Sequence, residues 1–171
     1  QRLSRGLGDV YKRQDIFQVV PSQRFETSFK SKGSSLYKVL RLTNPSPFMY
    51  YFNLPDFQIV GSSPEILVRL RSDLITLRPI AGTRPRGKNI KQDRKYELDL
   101  LSDEKETSEH LMLLDLGRND VGKVAKKSTV SVTAKFIIEK YSHVMHLVSN
   151  VTGILKKNIS TIEALMAGFP A

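Results

Sequence analysis

A chain of 171 residues with 40% hydrophobic side chains can bury one moderate core, which sets a single globular domain as the upper expectation. The absence of cysteine excludes disulfides, thiolate metal sites and a cysteine nucleophile together, and fits a reducing, cytoplasmic setting. The formal charge of +10 is spread without the aromatic interleaving of a nucleic-acid surface, so a solvated basic exterior, or a field that draws in an anionic small molecule, accounts for it better.

Residues 1–14 (QRLSRGLGDVYKRQ) carry two glycines, four basic residues and no helical or strand periodicity, so they do not read as a core element. They resemble adapter-derived translated sequence, supply about +3 of the charge, and are set aside as non-native. Residues 15–171 are taken as the domain. Within it, residues 16–23 (IFQVVPSQ) read as a strand and residues 34–42, after the break at Gly33, as a helix. The turn at Thr43-Asn44-Pro45-Ser46-Pro47 leads into residues 48–54 (FMYYFNL), whose aromatics predict a buried strand, paired as a hairpin with residues 57–62. Residues 65–70 and 74–77 alternate around Ser72-Asp73 as a second antiparallel pair.

From residue 92 to 115 the apolar spacing turns helical, with Ser102-Asp103 as an interruption. Asp103 and Glu106 have capping-box spacing, so a second helix starts there, and Gly117-Arg118-Asn119-Asp120 is read as its end. Residues 130–132 and 144–151 read as strands and residues 161–167 as a short helix headed by Ser or Thr. The fold class is therefore α+β, with mostly antiparallel strands flanked by helices. No apolar run approaches the length that crosses a bilayer, so no membrane association is expected. The chain stops at Phe169-Pro170-Ala171 directly after Gly168, which reads as truncation, and the domain is expected to be partial at both ends.

Several residues stand out as candidates for chemistry. The run over residues 79–87 (PIAGTRPRG) combines prolines, glycines and arginines, which suits either an ordinary basic turn or a rigid loop offering N–H groups and cations to an anion. Glu106 and Glu109 share one helix face, as solvated surface residues or as carboxylates for a hard cation. His143 and His146 differ in strand parity and are not expected to line one site. His146 shares its face with Val144 and Val148, either as a satisfied buried histidine or as an acid/base group. Glu65 follows Gly61-Ser62-Ser63-Pro64 as a turn-exposed carboxylate.

Taken together, residues 18–25, 44–51, 61–69, 79–87, 105–120 and 141–153 resemble the large subunit of the anthranilate synthases, a family of chorismate-using enzymes. The resemblance spans nearly everything after Gln14. It implies an incomplete chorismate-binding domain and a Mg²⁺-dependent reaction in which ammonia adds to the chorismate ring, the ring hydroxyl leaves and pyruvate is eliminated. In that frame Glu65 is the general acid for the departing hydroxyl, and His146 lies near the enolpyruvyl group. Ala81, Gly82 and Thr83 contact substrate, Glu109 ligates Mg²⁺ directly, and Glu106 stands behind that ligand or bridges to the ion through water.

The resemblance also separates sister enzymes. Relatives that add water carry a lysine where this chain has Gln18, because water needs a general base and ammonia does not. Aminodeoxychorismate synthase carries a lysine in place of Ala81, which has no amine to offer. Gln18 and Ala81 thus favour anthranilate formation over the folate-pathway alternative. Pro47, Phe48 and Met49 match a tryptophan-regulatory stretch, or else form a plain aromatic strand. A separate glutamine amidotransferase subunit is the implied source of ammonia. Because further substrate and metal contacts of the family are expected beyond Ala171, the chain alone is expected to bind chorismate weakly or not at all and to show no turnover. A non-catalytic regulatory module of the same fold remains as an alternative, and a nucleic-acid-binding domain ranks far behind.

Overall fold

The computed structural model describes residues 21–169, and the chain divides into two units, Gln1–Ser31 and Lys32–Ala171. In the first unit residues 21–31 carry no regular secondary structure. Of the strand expected over residues 16–23, the final three are therefore irregular, while residues 16–20, Gln18 among them, lie outside the described residues.

The second unit opens with helix α1 (Gly33–Thr43), followed by strands β1 (Phe48–Asn53) and β2 (Gln58–Ser63), which pair antiparallel as the expected hairpin. The aromatics of β1 are not buried. Tyr50 and Phe52 are exposed, because β1 and β2 form a two-stranded ribbon of their own and the strand lacks the second covering layer that would close over both faces.

A five-stranded antiparallel sheet holds the rest: β3 (Arg69–Arg71), β4 (Leu74–Leu77), β5 (Ile80–Pro85), β6 (Ser131–Lys140) and β7 (Val144–Ile154). Its central member is β7. Thr152 pairs with Thr76 and Ser131, and Val148 with Ile80 and Ile137. Strands β4 and β5 therefore lie end to end along one edge of β7, separated by Arg78 and Pro79, and β6 runs along the other edge. Strand β3 is shorter than expected. Residues 65–68 stay outside it, held in a turn in which the Glu65 amide donates to Ser63 Oγ at 3.1 Å.

Residues 79–87 are likewise more regular than a loop, since six of them form β5. The alternation along β5 is broken once. Ala81 pairs with Leu147 but Thr83 with His146, so Gly82 is the extra residue of a bulge, at φ +69°, a left-handed conformation that glycine adopts without steric cost.

Helices α2 (Ile90–Ser102) and α3 (Glu104–Val124) follow β5. Asn89 caps α2 by accepting the Gln92 amide, and Asp103 caps α3 by accepting the amides of Lys105 and Glu106, in each case satisfying N–H groups that a helix start leaves free. The expected capping box at α3 is only half present, because the Glu106 carboxylate turns to an arginine instead of back to Asp103. The expected stop over residues 117–120 also fails. The helix runs on to Val124, and Gly117 sits within it facing Val151 and Leu77, where a missing side chain lets the helix approach the sheet. Short helix α4 (Thr161–Met166) begins at Ser160 with a complete capping box to Glu163.

The core forms where α3 lies across β4 and β7: Ile75, Leu114, Val121, Val124, Ala125 and Val151 are buried together. A second cluster, Leu100, Met145 and Leu147, closes α2 against the other half of β7. Odd-numbered residues of β7 thus face the helices and even-numbered ones the opposite side. The tightest contact is at Gly153, where an added Cβ would come within 2.6 Å of Val121 Cγ1 and 2.8 Å of Ala125 Cβ. Gly153→Ala is expected to destabilise the fold by about 1–3 kcal/mol through overpacking, read as a lower denaturant midpoint.

Candidate active site

The β5 bulge decides which side chains meet. Past Gly82 the alternation inverts, so Thr83 joins His146 on the face away from the helices while Arg84 turns toward them. His146 Nδ1 lies 3.0 Å from Thr83 Oγ1 and 3.2 Å from the Gly82 carbonyl oxygen. A carbonyl only accepts, so Nδ1 carries the proton in that contact, and neutral His146 is left with its lone pair on Nε2. Ala81, one residue before the bulge, is buried opposite Leu147.

His146 lines a small cleft of about 160 Å³ with Asn44, Pro64, Tyr141 and His143. The two histidines therefore share a site, contrary to the parity argument. His143 precedes the first residue of β7, so strand alternation does not govern its direction. The Tyr141 ring packs edge-on to His146 at 5.6 Å, and its hydroxyl donates to Glu139 Oε2 at 2.8 Å. Burial and then Glu139 push the Tyr141 phenol up to about 12, so it remains a donor. Arg78 pairs with the same Glu139.

Glu65 stands beside this group. The residue is exposed, yet protein packed around its carboxyl raises its pKa, and His146, whenever its ring is protonated, pulls it partly back. A carboxyl so placed holds its proton to higher pH than a free one, which is what a general acid needs. Glu65 also lines a larger, mostly apolar cleft of about 370 Å³ with Arg78, Pro79 and Leu113.

Glu106 approaches the bulge from the helix side. Its Oε2 lies 3.2 Å from where a Gly82 Cβ would be, and its Oε1 lies 3.6 Å from Arg84. Glu109 is one turn along α3, half-buried, with no ion pair or side-chain hydrogen bond among the described residues. His110 beside it is fully buried, bonded through Nε2 to Ser149 Oγ at 2.6 Å, and burial holds its pKa low. That bond pins α3 to β7 next to both carboxylates. Among the described residues no group of three acidic or histidine side chains could enclose a metal.

The arginines of the 79–87 run do not wait for an external anion. Arg84 donates to Asp99 at 2.6 Å and to Asp103 at 2.7 Å. Arg86 pairs with buried Asp93 at 2.8 Å and donates to the Tyr141 carbonyl at 2.6 Å. Their acidic partners lie 7 to 19 residues away, a pairing no local motif announces. Tyr141 and Glu139 were equally absent from the sequence argument, although Tyr141 opens one of the resembling stretches. Pro47 and Met49, with Tyr37 and Arg41, line a separate cleft of about 480 Å³ between α1 and β1. Phe48 is half-buried and pairs with Ser63 outside that lining.

Residues 8–171 match the model of the chorismate binding enzyme family. Anthranilate synthase component 1 of Cereibacter sphaeroides is 61% identical over 163 residues, covering 95% of this chain and 33% of that protein. The Pseudomonas aeruginosa counterpart is 59% identical over 157 residues, covering 92% of this chain and 32% of its own length. The crystal structure of anthranilate synthase component I from Streptococcus pneumoniae superposes with a TM-score of 0.88 at 41% identity, over 98% of this chain and 36% of that one. The chain thus spans about a third of the length of the curated relatives it matches. No helix among the described residues is long and apolar enough to cross a membrane.

The Asp93 carboxyl is held down at about 2, first by Arg86 and then by the Gly87 amide. With the folded pKa below the unfolded one, its stabilising effect is fully present above the ordinary aspartate range and is lost as pH falls toward 2. Asp93→Asn is expected to be less stable than the native chain at neutral pH, with the gap closing between about pH 4 and 2, as followed by thermal unfolding across that window.

Proposed function

The chain belongs to the family of chorismate binding enzymes, and from that membership we propose that it carries part of the active site of an anthranilate synthase large component. The observation that carries the reading is the meeting of Gly82, Thr83 and His146, with Glu65 beside them.

In the proposed reaction ammonia adds to the chorismate ring, the ring hydroxyl departs, and the enolpyruvyl group leaves as pyruvate to give anthranilate. Glu65 delivers the proton to the departing hydroxyl, a role its raised pKa supports. His146, with Nδ1 fixed to the Gly82 carbonyl, presents Nε2 to the enolpyruvyl region as a proton carrier. Gly82 lets a substrate approach the backbone closely, and the Thr83 hydroxyl fixes its orientation. Non-basic Gln18 leaves water unactivated, and Ala81 offers no amine nucleophile, which together favour anthranilate over isochorismate and aminodeoxychorismate.

The donor set fits a magnesium ion. Mg²⁺ is commonly held by one or two carboxylates and completes its shell with waters and substrate oxygens, and α3 offers two carboxylates on one face. Glu109, without another partner among the described residues, would ligate it, and Glu106 would act through water. When bound, the ion would neutralise a substrate carboxylate and orient the ring. The same proposal includes a glutamine amidotransferase subunit as ammonia source, a cytoplasmic location, and tryptophan as an inhibitor. The cleft formed by Tyr37, Arg41, Pro47 and Met49, with its aromatic ring and cation, supports that last element.

A chimera in which residues 15–171 replace the matching third of the Pseudomonas aeruginosa relative is expected to form anthranilate from chorismate, ammonium and Mg²⁺, followed by anthranilate fluorescence. Glu109→Gln in that chimera is expected to lower the rate by about 100-fold. Aminodeoxychorismate or isochorismate as the product would overturn the roles of Ala81 and Gln18. A folded chimera that leaves chorismate untouched would overturn the reading itself.

A further inference from the structure

Two carboxylates on one face of a helix compete for the same cation unless something distinguishes them, and here their surroundings differ. The Arg84 guanidinium reaches Asp99 through Nε, Asp103 through one terminal nitrogen and Glu106 through the other, at 2.6, 2.7 and 3.6 Å. It is anchored from behind by its own strand, donating to the Thr83 carbonyl at 3.0 Å. Its side chain is four-fifths buried and that of Glu106 nearly as much, so this pair is screened less than a surface pair, whereas Asp99 stands largely in solvent. Asp103 in turn splits its two oxygens: Oδ2 takes Arg84, and Oδ1 takes the Lys105 and Glu106 amides. The backbone of Glu106 is thereby fixed by the cap, its Oε1 faces Arg84, and its Oε2 rests over Gly82. Glu109 has none of these restraints.

We propose that Arg84 is the positioning residue that decides which carboxylate of α3 takes the cation: by engaging Glu106 it keeps that side chain out of direct ligation and leaves the position to Glu109. The inference rests on the magnesium reading above. Mg²⁺ demands ligand oxygens at about 2.0–2.1 Å in near-octahedral geometry, and Glu106 can enter such a shell only by leaving the guanidinium and its seat on Gly82. A lysine at position 84 would retain the charge but not the fork that spans three carboxylates.

The test is Mn²⁺ binding, measured by electron paramagnetic resonance on the chimera described above without substrate, with circular dichroism to verify folding. In the native background Glu109→Gln is expected to weaken Mn²⁺ binding by about 10-fold or more, and Glu106→Gln by less than about 2-fold. Arg84→Met frees Glu106 and is expected to tighten binding by about 3- to 10-fold, a gain that Arg84→Met/Glu106→Gln abolishes. A structural prop would give the opposite, since its removal only loosens the site. Unchanged or weaker binding in folded Arg84→Met overturns the proposal, as does a gain that survives loss of Glu106. Should Arg84→Met not fold, Glu106→Gln alone decides: a 10-fold loss there means that Glu106 already ligates directly. If the chimera and its variants all fail to bind Mn²⁺ at millimolar concentration, the magnesium reading falls first and the role of Arg84 with it.

Discussion

The pairing of β5 with β7, interrupted once at Gly82, is the constraint on which the site depends. In an unbroken ladder Ala81 and Thr83 would share a face, and Thr83 would point at the helices with Leu147 and Met145. One extra residue inverts the pattern, so that Thr83 stands opposite His146 and Arg84 stands opposite Met145. The same inversion brings the Gly82 carbonyl onto the imidazole and opens the space that Glu106 occupies. A side chain at position 82 would be strained by φ +69° and would meet Leu100 Cδ1 at 2.8 Å, so glycine is required by both backbone and packing.

Around that bulge the charged groups are spent on geometry. Arg84 and Arg86 tie β5 to α2 and α3 through Asp93, Asp99 and Asp103, while His110 and Ser149 tie α3 to β7 from within the core. Partly exposed ion pairs of this sort gain little net stability, because solvent screening and desolvation offset much of the attraction. What they gain is a fixed relation between a helix carrying two carboxylates and a strand carrying Gly82 and Thr83. Positioning of this kind matters for chemistry in which the reacting groups must be aligned before the barrier is crossed.

What the sequence disclosed follows from how local each signal is. The β1–β2 hairpin, the β3–β4 pair, the Asp103 cap and the Ser160 cap each rest on a few neighbouring residues, and all four are present. Strand β6 was seen only at its start. Its polar and apolar residues do alternate from Ser131 to Phe136, and burial alternates with them, so the strand was legible by period beyond Val132. Only its two register slips, between Val132 and Ala134 and again before Ile137, carry no local signal. Gly117 read as a helix stop because a glycine in isolation usually is one, whereas here its lack of a side chain serves packing. The aromatics of β1 suggested burial, but burial depends on a covering layer that no strand encodes by itself. Of the candidate site, Glu65, His146, Gly82 and Thr83 were singled out through resemblance, and their roles stand as proposals. The pairing of Arg84 with Glu106 was not, since it joins elements separated by 22 residues.

The central claim is that the bulge delivers Gly82 and Thr83 onto His146 with Nε2 left free for proton transfer. Nitrogen-15 correlation spectroscopy of the His146 imidazole tests this most directly. At a pH where the ring is neutral, the account predicts the proton at Nδ1 and none at Nε2, with Gly82→Ala shifting the Nδ1 resonance. A ring protonated at Nε2, or one indifferent to Gly82, would contradict it.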